Sequence, residues 1–224
     1  MKAHDLLGPT LRRVSRSFYL TLRVLPRDVR RPIGLAYLFA RAADTIADTA
    51  LISRADRLKH LELFRGAFRD GEAGHLGAVR EALTAPSGNA AERELLTRVE
   101  EAFALLQTLE PADQSMIRRL ILTLTEGMVM DLTTFPGEDE GRLVALETRA
   151  DLDRYTYYVA GCVGEFWTDI HLAHRPSLVR WDREVMVRRG VRFGKGLQMT
   201  NVLPTSSIRQ PPRRSSRCYG TSWV

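Results

Sequence analysis

Cysteine is scarce in this sequence, and long apolar runs are missing. The two cysteines, Cys162 and Cys218, have no spacing that suits a zinc site or a disulfide framework, which favours a reducing compartment. No stretch approaches the roughly 20 apolar residues that cross a bilayer, and the first nine residues lack the apolar segment of a signal peptide. We therefore expect a cytoplasmic protein, at most peripheral to a membrane, and we expect it to be a monomer.

The sequence motifs that usually mark a nucleotide-binding site or a zinc site are also missing. No glycine-rich loop of the dinucleotide-binding or Walker type occurs, so a nicotinamide cofactor would need a different binding mode. His171 and His174 lie three residues apart, but no third zinc ligand accompanies them. Neither a zinc site nor a classical nucleotide-binding domain is expected.

Positive charge is concentrated at one end of the chain. The formal net charge is +6, and residues 204–224 supply +4 of it through four arginines without any acidic residue. The first 203 residues carry the remaining +2 and show no basic stripe interleaved with aromatic residues. We therefore expect no nucleic-acid binding, whereas a small acidic, phosphorylated substrate suits this balance.

What the sequence does contain is helical periodicity. Apolar residues make up 44% of the 224 residues, enough for one sizeable core, and they recur at steps of three and four between well-spaced breakers. Helices are predicted over about 5–25, from 28 onward, over 53–68, in a short segment ending near 85, and over 90–109, 112–132, 151–173 and 179–203. The sequence predicts one all-α domain.

Two aspartates lie four residues apart on the second predicted helix. Asp44 and Asp48 share a helical face with Arg41, and like charges at this spacing repel unless something positive lies between them. Mg2+ prefers oxygen ligands and is commonly held by one or two carboxylates plus substrate phosphates, while arginine binds phosphate oxygens directly. The pattern suits a site for a metal ion and a diphosphate.

A solvated acidic face is the alternative, because aspartates at this spacing are common on exposed helices. The residues around the pair favour burial, since they are apolar on nearly all sides of the helix. They are Ile33, Leu35, Ala36, Leu38, Phe39, Ala40, Ala42, Ala43, Ile46 and Ala47. Unpaired carboxylates in a buried helix are costly, which favours a bound cation or a polar cavity.

Several blocks of sequence, taken together, are specific to one family. They are Val14–Tyr19, Leu25–Pro26, Ala36–Asp48, Gly127–Asp131, Tyr155–Glu165 and Gly194–Leu203. In order and spacing they resemble the squalene/phytoene synthases, the head-to-head prenyl diphosphate synthases, and in particular the bacterial squalene synthases. The resemblance extends from about residue 8 to residue 203.

The resemblance implies an isoprenoid-synthase-type helical bundle around a central cavity, with two metal-binding motifs on opposite walls. Catalysis is implied for Tyr37, Arg41, Asp44 and Asp48, and Mg2+ binding for Asp44, Asp48 and Asn201. Contacts with diphosphate are implied for Ser15, Arg16, Ser17, Tyr37, Arg41, Gln198 and Asn201. The implied cavity wall consists of Phe18, Tyr155, Val159, Gly161, Val163 and Gly164. The two glycines leave room for a close neighbour, either another helix or a prenyl chain.

The implied reaction condenses two molecules of farnesyl diphosphate to presqualene diphosphate and squalene. Loss of diphosphate from one molecule gives an allylic cation, which the double bond of the second attacks to form a cyclopropylcarbinyl intermediate. Mg2+ and arginine stabilise the charge of the leaving group, and NADPH would be the reductant if the product is squalene. Phytoene formation from geranylgeranyl diphosphate is the alternative within the family.

The sequence departs from the family pattern after Leu203. The family places aspartates where this chain has Thr205 and Arg209, and the following residues are rich in proline, serine and arginine. We interpret residues 1–203 as an incomplete synthase-like domain, truncated at its C-terminal end, and residues 204–224 as a basic, disordered tail. A reading-frame change would produce this switch, and sequencing the gene for a downstream aspartate-rich frame tests that hypothesis.

Two other classes of function remain open. An all-α, Mg2+-dependent diphosphate hydrolase would use the same acidic pair but form no carbon–carbon bond. An inactive member of the family would bind only a prenyl diphosphate or a protein partner, and the altered positions after Leu203 favour it. Ligand binding that requires Mg2+ would separate both enzyme classes from a protein that only binds a partner.

Overall fold

The computed structural model describes residues 6–15, 18–49, 52–71, 74–83, 90–135 and 144–207, and every regular element in them is helical. The α-helices are α1 Leu11–Ser15, α2 Phe18–Val24, α3 Arg27–Asp48, α4 Arg54–Asp70, α5 Gly74–Leu83, α6 Ala90–Thr97, α7 Val99–Leu106, α8 Pro111–Thr134, α9 Arg149–Thr156, α10 Cys162–His174 and α11 Arg183–Ser207. Two π-helical turns, Leu6–Thr10 and Tyr157–Gly161, and a 3-10 turn, Pro176–Leu178, accompany them. The all-α prediction is confirmed.

Helix α3 forms the centre of the core. It begins after Pro26, tolerates Pro32 near its start, and ends where Thr49 adopts an extended conformation. It packs against α4, α6, α7, α8 and α10. Because it has neighbours on most sides, it is apolar nearly all round, as its sequence indicated.

Helix α8 is the second long helix of the core, and it packs against α3, α4 and α10. Pro111 occupies the first turn, where a missing backbone N–H costs little. Near its other end, Gly127 faces the π-helical turn, and a Cβ atom there would lie 2.8 Å from Val159 Cγ1. This glycine therefore brings the end of α8 close to residues 157–161.

Glycines also set the approach of α11 to its neighbours. Helix α11 packs against α10, the π-helical turn and α9. A Cβ atom at Gly164 would overlap the backbone of Gly190, and one at Gly194 would overlap the carbonyl group of Ala160. The close neighbour predicted for Gly161 and Gly164 is thus α11, and at these two positions it takes the place of a prenyl chain.

Several predicted helices are interrupted or shifted. The segment predicted over 151–173 begins at Arg149, behind a capping box between Thr148 and Asp151, and changes to π-helical geometry at residues 157–161. The segment predicted over 90–109 is divided by a turn at Arg98, and the one predicted over 5–25 begins with a π-helical turn at Leu6–Thr10. Each interruption lies within a continuous apolar pattern, so periodicity alone did not indicate it.

The last helix begins later and continues further than predicted. After the 3-10 turn at Pro176–Leu178, Asp182 accepts a hydrogen bond from the backbone N–H of Val185 at 3.1 Å and starts α11 at Arg183. The helix runs to Ser207, past Leu203, and residues 208–224 lie outside the described residues. No helix of the described part of the chain is long and apolar enough to cross a membrane.

Candidate functional site

Helix α3 carries the predicted acidic pair on the side that also bears Tyr37 and Arg41. Asp44 is 3% exposed, and Asp48 is half-buried at the end of the helix. The hydroxyl of Thr45 donates a hydrogen bond to the Arg41 carbonyl at 2.9 Å, so it is satisfied within the helix. Burial of Asp44 excludes the solvated acidic face and supports a functional use of the pair.

Arg41 has a partner that the sequence did not indicate. Its Nη2 atom donates a hydrogen bond to Glu92 Oε1 of α6 at 2.6 Å, and its Nη1 atom lies 4.0 Å from Asp44 Oδ2. The guanidinium therefore lies between two carboxylates. The pairing joins residues 51 positions apart, so helical spacing could not reveal it.

A third carboxylate faces the pair from α8. Burial raises the pKa of Asp131 to about 7, a hydrogen bond from the Tyr155 hydroxyl at 3.4 Å opposes the increase, and the charge of Asp48 adds to it. The buried Oδ1 atom of Asp131 accepts no hydrogen bond from the described residues. Asp131 belongs to a block that resembles the family, but we did not predict it as a site residue.

The donor set fits a divalent cation. Asp44, Asp48 and Asp131 offer carboxylate oxygens, which are the ligands that Mg2+ prefers, and Oδ1 of Asp131 is a buried acceptor without a donor. Within the described residues, no three potential metal ligands are already gathered closely enough to hold an ion by themselves. The arrangement suits the mode in which one or two carboxylates and substrate phosphates share the metal ion.

The residues at the N-terminal side of the site divide into three groups. Phe18 stacks on Tyr37 with ring centroids 5.1 Å apart, so this predicted wall residue does lie beside the predicted site. Ser15 is fully buried, and its hydroxyl donates to the Leu11 carbonyl at 2.5 Å, so it is engaged within its own helix rather than directed at a ligand. Arg16 and Ser17 lie outside the described residues.

The predicted wall residues after α8 are mostly buried. Tyr155 and Val159 belong to a small apolar cluster with Phe135, and Val163 packs against the main core. Because Asp131 receives the hydrogen bond of Tyr155, this part of the wall also contacts the acidic site. Gly161 and Gly164 instead face α11.

Helix α11 carries the predicted second wall. Gln198 is half-buried, and Asn201 is exposed. Helix α10 packs against both α3, which carries Asp44 and Asp48, and α11. Phe193 and Leu197 are 69% and 50% exposed, and with Asn201 they follow each other at intervals of four on one side of α11. We did not predict these two apolar residues, although their spacing is visible in the sequence.

The isolated candidates have structural partners. His174 Nε2 lies 2.8 Å from Asp113 Oδ1, and His171 Nδ1 lies 2.8 Å from the Trp167 carbonyl. Cys162 is buried, and desolvation together with the charge of Glu165 raises the pKa of its thiol to about 12. The expectation that Cys162 acts as a small buried residue is confirmed, and each of the two histidines has a partner within the protein.

A family of known proteins matches this chain. The model of the squalene/phytoene synthase family matches residues 11–219, so the chain belongs to that family. The match continues beyond Leu203, further than the sequence blocks predicted.

Individual relatives agree with this assignment. The bifunctional lycopene cyclase/phytoene synthase of Phycomyces blakesleeanus is 30% identical over 197 residues, which are 86% of this chain and 29% of that protein. The squalene synthase of Saccharomyces cerevisiae is 31% identical over 158 residues, 67% of this chain and 31% of its own length. A solved complex of TcSQS with a ligand superposes with a TM-score of 0.67 at 28% identity, covering 94% of this chain and 57% of that one. The chain thus spans about a third of the length of these curated relatives.

Proposed function

We propose that this chain is a prenyltransferase that joins two molecules of farnesyl diphosphate head to head, forming presqualene diphosphate and then squalene. The observation that carries the proposal is the placement of Asp44, Asp48 and Arg41 on the central helix, facing Asp131 of α8. Membership of the squalene/phytoene synthase family supports the same reaction.

The acidic residues act as the metal-binding part of the proposed site. Asp44 and Asp48 would hold Mg2+, with Asp131 as a further oxygen donor near Asp48 and Asn201 of α11 as a donor from the second wall. When bound, Mg2+ neutralises the charge that develops on the departing diphosphate. A diphosphate enters most readily when the carboxylates are already balanced by cations, because like charges in a buried site repel strongly.

The remaining residues orient the two substrates. Arg41 donates hydrogen bonds to diphosphate oxygens, and Tyr37 and Gln198 contact the same group. The ring of Phe18, stacked on Tyr37, offers an aromatic face to the allylic cation. None of these residues forms a covalent bond to the substrate, so catalysis consists of positioning and electrostatic stabilisation.

The prenyl chains need an apolar wall. Tyr155, Val159 and Val163 supply one side, and the hydrogen bond from Tyr155 to Asp131 joins this side to the proposed diphosphate site. Phe193 and Leu197 supply the opposite side on α11, with Asn201 at the polar end of the same stripe. In this proposal the prenyl chain runs along α11 with its diphosphate toward Asn201.

Two alternative functions within the family each have a specific observation in their favour. A relative named as a phytoene synthase favours geranylgeranyl diphosphate as the substrate. Thr205 and Arg209, which replace expected carboxylates, favour an inactive family member that binds only a ligand or a partner. NADPH takes part only if presqualene diphosphate is reduced to squalene.

The outer face of α2 suits peripheral contact with a membrane. Leu20 and Val24 are 67% and 80% exposed there, and Arg23 lies between them. Arg23 and the neighbouring Arg27 form no ion pair with the described residues, so both are available to anionic lipid headgroups. Flotation with vesicles of anionic or neutral lipid tests this contact: binding to the anionic vesicles alone, lost in Leu20→Ser/Val24→Ser, is the expected result.

One experiment decides the central proposal. The purified monomeric chain is incubated with labelled farnesyl diphosphate, with and without Mg2+ and NADPH, and the organic-extractable and phosphate products are separated. Presqualene diphosphate or squalene that requires Mg2+ is the expected result, and geranylgeranyl diphosphate in a parallel incubation tests phytoene formation. Release of phosphate without a carbon–carbon bond would identify a hydrolase instead, and no turnover together with metal-dependent binding would identify an inactive family member.

A further inference from the structure

Glu92 holds the guanidinium of Arg41 from the side opposite Asp44. The hydrogen bond from Nη2 to Glu92 Oε1 is 2.6 Å long, and the two side chains are 23% and 25% exposed, so the pair is shielded from bulk water. The neighbouring Nε atom is buried and has no hydrogen-bond partner within the described residues. One donor of the guanidinium is therefore fixed by Glu92, while Nε donates no hydrogen bond to the described residues.

The helix that carries Glu92 is itself anchored. Leu95 and Leu96 of α6 are buried in the core. On the outer side, Glu94 accepts hydrogen bonds from Thr10 at 3.0 Å and from Arg13 at 2.7 Å. Since α6 is held at several points, the Glu92 carboxylate is a fixed reference for the Arg41 side chain.

We infer that Glu92 is a positioning residue, which holds Arg41 so that its free donors meet a diphosphate oxygen beside Asp44. The inference rests on the proposed function. Without Glu92, the Nη1 atom of Arg41, which lies 4.0 Å from Asp44 Oδ2, is free to approach to hydrogen-bond distance and so to tighten its ion pair with that carboxylate. Such a pair would occupy both the phosphate-binding donor and a metal-binding acceptor.

A competing effect makes the inference testable. The negative charge of Glu92 repels a diphosphate, so a carboxylate that acted only through its charge would weaken ligand binding. Two conservative variants distinguish the effect of the position of the Glu92 carboxylate from the effect of its charge. Glu92→Asp keeps the charge but withdraws the carboxylate from Arg41, whereas Glu92→Gln keeps the length and an acceptor oxygen but removes the charge.

The experiment is calorimetric titration of the full chain with inorganic pyrophosphate in the presence of Mg2+, because this ligand fills the diphosphate site without reacting. We expect Glu92→Asp to weaken binding about fivefold and Glu92→Gln to change it by less than about twofold. In an Arg41→Ala background the Glu92→Asp substitution should have no effect, since the residue that it positions is gone. Glu100→Ala, which breaks another ion pair between helices, with Arg80, is the matched control and should bind like the wild type.

The possible outcomes are distinct. Unchanged binding in Glu92→Asp, equal losses in both conservative variants, or a loss that persists in the Arg41→Ala background would each overturn the positioning role. A wild-type chain that binds no pyrophosphate in Mg2+ and forms no product from farnesyl diphosphate would overturn the proposed function and, with it, this inference. Thermal unfolding of each variant confirms that affinity is compared between folded proteins.

Discussion

Gly164 of α10 and Gly190 of α11 meet backbone to backbone, and a Cβ atom on either would overlap the carbonyl oxygen of the other. A flexible side chain could move aside, but a helical backbone cannot do so without shifting the whole helix. The two glycines therefore fix how closely the helix of the second wall approaches α10, which in turn packs against α3.

Substitution of Gly164 by alanine should therefore destabilise the chain. Overpacking of this kind costs about 1–3 kcal/mol, which outweighs the gain in helix propensity of about 1 kcal/mol. Urea unfolding followed by circular dichroism measures the change. Gly196→Ala is the control on α11: its Cβ atom meets nothing within 4 Å, so this variant should be more stable than the wild type by about 0.5–1 kcal/mol. Equal stability of the two variants would contradict the packing described here.

The unfolding free energy should depend on pH through Asp131. The pKa of this carboxyl is about 7 in the folded chain and 3.8 in the unfolded one, so the folded state binds more protons between these values. Stability is therefore lost as the pH rises through this range, by at most about 4 kcal/mol. In metal-free buffer, Asp131→Asn should become more stable than the wild type as the pH increases from about 5 to about 8.

A second variant checks the cause of that pH dependence. Tyr155→Phe removes the hydroxyl that donates to the Asp131 carboxylate, so the pKa of Asp131 should rise further and the transition should move to higher pH. Urea titrations at several pH values locate the transition for each variant. A wild-type chain whose stability is the same at both ends of the range would show that Asp131 is not desolvated.

Binding of diphosphate should need both aspartates of α3. Asp44→Asn and Asp48→Asn each replace an ionised oxygen ligand, so we expect the affinity for inorganic pyrophosphate in Mg2+ to fall about tenfold or more. Calorimetry measures the affinity with and without the metal ion. Asp70→Asn, on the exposed end of α4, should leave it unchanged, and a similar loss in all three variants would point to a non-specific charge effect.

The thiol of Cys162 should resist modification in the folded chain. It is buried, and its pKa of about 12 leaves almost no thiolate near neutral pH. In a Cys218→Ser variant, a thiol reagent should react with Cys162 only as fast as the chain unfolds, and urea should accelerate the reaction. Rapid labelling under native conditions would mean that α10 is more accessible than its packing indicates.

The sequence predicted those parts of the fold and the site that depend on local spacing. Asp44 and Asp48 are four residues apart on one helix, and the surrounding apolar residues indicated its burial; both properties follow from helical geometry. Likewise, the spacing of Gly161 and Gly164 predicted a close neighbour. The identity of that neighbour depended on the path of α11, which no local pattern contains.

Contacts between distant residues could not be predicted in this way. Glu92 and Arg41 meet because α6 packs beside α3, and Asp131 faces Asp48 because α8 packs against α3. A charged residue on a predicted helix has many equivalent partners until the packing is known. The turn at Arg98 and the late start of α11 depend on tertiary packing and on a single capping side chain, Asp182, so periodicity did not place them.

The position of Asp44 in the middle of the core has a consequence for the motions of the protein. Helix α3 is surrounded by other helices over most of its length, so its amide protons can exchange with solvent only when much of the domain opens. Fraying of a terminus or of α2 would leave the acidic pair in place. The acidic pair needs a fixed geometry, and the amide protons of its helix should therefore exchange as slowly as the slowest ones of the core.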